Sequence, residues 1–158
     1  MNTKQLAKGA LIGALYAILT LFATIPIGGV QLRISEALCV LPFYTAAAVP
    51  GLFVGCLIAN IITGAVIYDV IFGSLATLLA ALATNAMRRL GWSKWLAPLP
   101  AVIINAFVVG AIVYYCYGMN QTSSYALCVI YVAVGQALSC YGLGLPLLLL
   151  LDRPGYFL

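Results

Sequence analysis

Apolar residues fill this chain in long stretches, broken by short polar or Gly/Pro-containing punctuation. The pattern predicts six helices, over 5–24, 35–49, 52–67, 69–87, 95–117 and 124–151. The first closes at Ile25-Pro26-Ile27-Gly28-Gly29, and a polar loop from Gln31 to Glu36 follows. Pro42 falls inside the second helix, Pro50-Gly51 reads as a tight turn, and Gly64 stands near the end of the third. Arg88 to Lys94 and Gly118 to Ser123 are the next loops, and Gly142, Gly144 and Pro146 mark an interruption in the last helix. A spanning helix needs about 20 apolar residues. The second and third stretches are short, so they are expected to be tilted or recessed.

Composition turns this periodicity into a membrane assignment. The 158 residues are 65% hydrophobic and 6% charged, whereas a soluble domain carries roughly a quarter charged residues. The expected fold is therefore all-α: one polytopic transmembrane domain over 1–158, six helices in a bundle, with no room for a soluble catalytic domain. The basic N-terminus followed by a long apolar run suggests a signal sequence, but the run is too long and further spans follow, so it reads as a retained first helix.

Charge sets the orientation. With both termini in the cytoplasm, Lys4, Lys8, Arg88, Arg89, Lys94 and Arg153 lie inside and only Arg33 outside, the asymmetry expected of a plasma-membrane protein. Trp92 and Trp95 flank the inner basic loop, where amphipathic rings favour the interface. The net charge of +4 thus reports topology; no basic run or RNA-binding motif points to nucleic acid. The five cysteines form no C-x-x-C pair and histidine is absent, so no metal or cofactor is expected. Nor is there a nucleophile–base motif or a phosphate-binding loop to suggest an enzyme.

The same topology gathers Arg33, Glu36 and Asp69 at the outer ends of helices one to four. Charges at a membrane bundle are costly and usually have a partner or a task. Arg33 and Glu36, three apart, suit a structural salt bridge or a ligand clamp, with Ser35 capping helix two; Asp69 suits an N-cap or a ligand contact. Asn60, Asn105 and Gln136 are amides within predicted spans, where they serve interhelical hydrogen bonds or a polar site; Asn60 borders the outward end, and Gln136 forms an i, i+3 pair with Ser139. Tyr68, Tyr114, Tyr115, Tyr117, Tyr125 and Tyr131 read as an interfacial belt from which one or two rings can stack on a flat ligand. Small residues at Gly73, Ala76, Thr77, Ala80 and Thr84 predict close internal packing. The denser stripe Gly9, Ala10, Gly13, Ala14, Ala17 suits internal packing or a partner helix.

Two stretches, QLRISEAL from Gln31 to Leu38 and N-x-x-T-G…D-x-x-x-G-S-x-A-T from Asn60 to Thr77, resemble the queuosine precursor transporter family, and the resemblance extends over nearly the whole chain. Its members are substrate-binding components of energy-coupling factor uptake systems. The resemblance implies an outward pocket, no nucleotide site, and energy from a transmembrane coupling subunit with two ATPases. The family's A-x-x-x-A docking pattern on helix one matches Ala10 and Ala14, with Gly13 and Ala17 extending the small face. The implied cargo is a 7-deazaguanine base. Arg33, Glu36, Asn60, Asp69 and Gln136 are then the expected binding residues: Glu36 or Asp69 accepts a bidentate pair from the guanine-like edge, and Asn60 or Gln136 donates to the ring carbonyl. The alternatives are a different flat vitamin as cargo, an autonomous proton-coupled carrier using Glu36 or Asp69, or a structural membrane protein without a ligand.

Overall fold

A computed structural model describes residues 2–27 and 30–151. Helix α1 (Thr3–Phe22) begins with a reciprocal cap: the Asn2 side chain accepts from the Lys4 N–H, and the Gln5 side chain accepts from the Asn2 N–H. This satisfies backbone donors that the first turn leaves free. Strands β1 (Thr24–Ile27) and β2 (Val30–Arg33) then pair antiparallel, with Thr24 opposite Arg33. A 3-10 segment, Ile34–Phe43, leads to α2 (Ala48–Ile62). One wide π-helical turn, Asp69–Gly73, opens α3 (Ser74–Arg89), and a 3-10 turn, Lys94–Leu96, precedes α4 (Leu99–Cys116). Helix α5 (Tyr125–Ala137) continues through a second π segment, Leu138–Gly144, into α6 (Leu145–Leu151).

The architecture is all-helical apart from the hairpin. Among the described residues, four continuous stretches are long and apolar enough to cross a membrane: Thr3–Phe22, Asp69–Arg89, Lys94–Cys116 and Tyr125–Leu151. The two shorter apolar segments run between the same two ends. Ile34–Phe43 starts beside Thr20, which donates to Ser35 Oγ at 2.8 Å, and leads to Tyr44, whose carbonyl accepts from Arg88 Nη1. Ten residues at the 3-10 rise of ~2 Å cover about 20 Å, so the stretched helix compensates for its shortness. Runs of 3-10 this long are uncommon; here Ser35 through Pro42 are all buried, and Asn85 Nδ2 donates to the Pro42 carbonyl at 2.8 Å.

Several boundaries move for identifiable reasons. The loop expected after helix one is the β hairpin, so α1 stops at Phe22. The expected helix over 35–49 ends at Phe43, and Ala48, Val49 and Pro50 belong to the next helix. Pro50 is no turn: it lies in the first turn of α2, where its missing N–H has no intrahelical partner to lose. That helix ends at Ile62 rather than at 67, because Gly64 turns into the left-handed region at φ +68°. The interruption expected in the last helix is a π segment, and the helix runs on through Pro146. Arg153, counted in the charge asymmetry, lies outside the described residues.

The bundle buries polar residues within an apolar core and leaves large apolar side chains on its outside. Glu36, Asn60, Asp69, Thr77, Asn105 and Gln136 are buried, while Leu11, Leu79, Ile103, Phe107 and Ile130 are exposed. The α3 stripe Ala76, Thr77, Ala80, Thr84 turns inward as its small side chains predict. Lys4, Lys8, Arg88, Arg89 and Lys94 belong to the end opposite the hairpin, since α1 and α4 run toward the hairpin and α3 away from it.

Lipid supplies no hydrophobic drive for helix association, so close backbone packing must do the work. Helices α1 and α2 meet through glycine on both sides. A Cβ on Gly51 would lie 2.4 Å from the Gly9 carbonyl oxygen, and one on Gly55 would lie 2.5 Å from that of Gly13. The obstructing atoms are backbone and cannot swing aside. Gly144 likewise lets Ile34–Phe43 nest against the last helix, where a Cβ would meet the Ala37 carbonyl oxygen at 2.9 Å. Gly51→Ala is therefore expected to destabilise the protein by about 1–3 kcal/mol, read as a lower melting temperature in detergent. Gly142→Ala, where a Cβ meets nothing within 4 Å, should leave it unchanged or raise it; equal melting of both variants would contradict the close approach.

Candidate functional site

Beneath the hairpin end lies a polar cavity of about 110 Å³, well above the ~10–15 Å³ that one water requires. Its walls follow helical periodicity. Helix α2 presents Cys56 and Asn60; the start of α3 presents Gly73 and Thr77; α4 presents Asn105, Val109 and Val113 at i, i+4, i+8. Helix α5 presents Cys128, Tyr131, Val132 and Gln136. Arg33 of β2, Glu36 of the 3-10 segment and Met119 complete the lining.

Glu36 is the cavity's carboxyl group, and it is 3% exposed. Its two oxygens are held from different elements. Tyr16 of α1, fully buried, donates its phenolic O–H to Oε1 at 2.7 Å, and the Cys39 thiol donates to Oε2 at 3.1 Å. The Cys140 thiol, on the π segment, donates to the Glu36 backbone carbonyl at 3.3 Å. These contacts orient the carboxyl group, and because its oxygens offer about four acceptor positions in all, they leave capacity for a ligand.

Asp69 is buried beside the cavity and does not line it. Arg33 Nη2 lies 4.0 Å from Asp69 Oδ2, the Tyr117 phenol donates to the same oxygen at 3.4 Å, and Asn60 Nδ2 donates to the Asp69 backbone carbonyl at 3.2 Å. Burial works against the Arg33 cation, but Tyr16, Glu36 and Asp69 outweigh it and hold its pKa above the usual arginine value. Burial, reinforced by Asp69, likewise raises the Tyr117 phenol, which stays a proton donor. Gly73 is needed where it stands, because a Cβ there would lie 2.5 Å from Asp69 Oδ1.

Of the binding residues expected from the sequence, Arg33, Glu36, Asn60 and Gln136 come together at one cavity, while Asp69 anchors its wall. Arg33 has its ion pair with Asp69 and not with Glu36. Neither Ser35 nor Asp69 caps a helix: Ser35 Oγ accepts from Thr20, and the caps at these two helix starts carry no side-chain hydrogen bond. Gln136 Oε1 lies 3.6 Å from the Cys140 sulfur rather than pairing with Ser139. Tyr131 is the belt tyrosine that reaches the cavity; Tyr68, Tyr115, Tyr117 and Tyr125 are exposed. Cys56, Cys128 and Thr77 were not expected there, and apolar or small residues at helical spacing give no signal of their own. Asn105, open in the sequence between interhelical bonding and a polar site, lines the cavity.

On the first helix the small stripe divides. Gly9, Gly13 and Ala17 are buried against the bundle, whereas Ala10 and Ala14 are exposed. They floor a shallow apolar groove between α1 and α2, with Leu6, Val54 and Ile58 along its sides.

Removing the Tyr16 hydroxyl leaves a buried acceptor short of its donor. Tyr16→Phe should cost about 1–3 kcal/mol, whereas Tyr115→Phe, at a ring 70% exposed, should melt like the native protein. Identical melting of the two variants in detergent would refute the Tyr16–Glu36 bond.

One family model, described as QueT transporter, matches residues 6–153. No curated protein and no solved structure matches the chain.

Proposed function

Because this multi-pass membrane protein belongs to the QueT transporter family, we propose that it is the substrate-binding subunit of an energy-coupling factor importer, capturing a 7-deazaguanine base at the outer face. The observation that carries the reading is the cavity at the hairpin end, where Glu36 stands desolvated among amides and a tyrosine. A guanine-like edge offers a ring N–H beside an amino group, and a carboxylate accepts both in a bidentate pair. Glu36 suits this role better than Asp69, because it lines the cavity and Asp69 does not. Gln136 has amide N–H groups for the ring carbonyl, and Tyr131 offers a face for stacking.

In this reading all six helical stretches cross the membrane, the hairpin end faces outward and the basic end faces the cytoplasm, as the positive-inside rule requires. Uptake needs a transmembrane coupling subunit and two ATPases. The exposed Ala10 and Ala14 suit close approach by a partner helix, because small side chains let backbones come together. Tyr16 lies on the opposite, buried face of the same helix and holds Glu36, so displacement of α1 by the partner acts directly on the cavity's carboxylate.

Purified protein in detergent should bind 7-deazaguanine saturably, and riboflavin and thiamin should not compete. Glu36→Gln keeps an acceptor for Tyr16 but offers the ligand one amide oxygen in place of a carboxylate, so affinity should fall at least about tenfold, roughly 1.4 kcal/mol; Asp69→Asn should cost less. Full affinity in Glu36→Gln would remove the carboxylate from the site.

In proteoliposomes, uphill uptake should require the coupling subunit and ATPases together. Ala14→Leu should abolish uptake while preserving binding. Uptake driven by a pH gradient in vesicles lacking those subunits would instead identify an autonomous carrier.

A further inference from the structure

Arg33 is the one cation on the cavity wall among the described residues, and its donors are not filled by the protein. A guanidinium carries five N–H donors and no acceptor. Its ion-pair partner is Asp69, and at 4.0 Å that contact is too long for a hydrogen bond. The oxygen concerned, Asp69 Oδ2, takes its hydrogen bond from the Tyr117 phenol instead. The fully enclosed side-chain atoms without a partner, among the described residues, belong to Ser74, Asn105 and Ser139. The Arg33 nitrogens are not among them, and the side chain is 23% exposed. Asp69 thus holds the cation by charge, while the donors stay open at the cavity. A charged group with unfilled donors at a membrane bundle is costly, and a ligand that brings acceptors offsets the cost.

Resting on the reading of a deazaguanine site, we infer that Arg33 is a specificity-determining residue: it favours a base whose five-membered ring carries a neutral hydrogen-bond acceptor beside the ring carbonyl, such as a nitrile, over one that carries an ammonium group there. Arg33 and Glu36 stand three residues apart and both line the cavity. With Glu36 on the pyrimidine N–H and amino group, Arg33 therefore addresses a flank of that edge. One flank offers a ring nitrogen next to the five-membered-ring N–H, and a group that only donates has no use for a second donor. The other flank offers the ring carbonyl, which keeps a lone pair for Arg33 when the Gln136 amide uses the first. On guanine an arginine takes that carbonyl together with the neighbouring imidazole nitrogen. A 7-deazaguanine has carbon in place of that nitrogen, so the second acceptor must come from the substituent on it. A nitrile nitrogen supplies one. An aminomethyl group, protonated at neutral pH as a lysine amine is, brings only donors and sets like charge against like. Neither carboxylate relieves this: Glu36 is taken up by the pyrimidine edge, and Asp69 does not line the cavity.

The test is equilibrium binding of three bases to the intact protein in detergent: 7-deazaguanine, its 7-cyano derivative and its 7-aminomethyl derivative. At neutral pH native protein should bind the cyano base at least about tenfold more tightly than the aminomethyl base, with the unsubstituted base between them. Arg33→Gln removes the charge and keeps a donor. In this variant the preference should fall to unity or reverse, because Asp69 then lacks its cation, and affinity for the unsubstituted base should change less than affinity for the cyano base. A preference that persists in Arg33→Gln overturns the inference, as does a loss of affinity shared equally by all three bases, which marks a structural role alone. Native protein that binds the two substituted bases equally, or favours the aminomethyl base, also overturns it while leaving the deazaguanine site standing. Absence of binding by all three overturns the site and the inference together. The comparison on native protein needs no variant to fold.

Discussion

A carboxyl group within a membrane bundle must be provided with donors, and the arrangement around Glu36 follows from that requirement. No water from the bilayer core can solvate it. Tyr16 supplies one hydrogen bond from α1, Cys39 another from one turn further along the same 3-10 segment, and Cys140 ties the Glu36 backbone to the last helix. Three parts of the chain, the last of them more than a hundred residues beyond the others, are thereby held to one point. The cavity is where this provision leaves acceptor capacity over, and the N–H groups of the proposed ligand match it.

Close helix approach is the second condition. Glycines opposed across α1 and α2 bring backbone to backbone, carrying the buried face of α1, with Tyr16 and Thr20, up to Ser35 and Glu36. The same helix then has two faces of different use. One face holds the cavity's carboxyl group, and the other exposes Ala10 and Ala14 in an apolar groove. A helix with one side at the cavity and the other facing an open apolar groove is suited to passing a displacement between them.

Much of the fold was legible from the chain alone because the bilayer restricts the choices. Apolar stretches near 20 residues must be helical, and the α3 stripe from Ala76 to Thr84 turned inward as its small side chains predict. The errors fell where that rule is weak. Thr24–Ile27 and Val30–Arg33 pair as a hairpin at the end of the bundle, where composition distinguishes poorly between strand and loop. Pro50 read as a turn because a proline in the first turn of a helix looks the same in sequence as one between helices.

What the sequence by itself determined was membrane residence, the helical class and the short roster of polar residues that hydrocarbon does not tolerate without a partner. Composition and charge asymmetry carry that information position by position, so no contact need be known. Partner choice was decided only by tertiary structure. Arg33 stands three residues from Glu36 yet pairs with Asp69, thirty-six positions away; Glu36 is held by Tyr16, twenty positions earlier; and Asn105, readable only as an in-span amide, reaches the same cavity from α4. Hydrogen bonds and ion pairs act over a few ångströms of space, and periodicity along a helix shows which face a residue occupies but not which neighbour that face will meet.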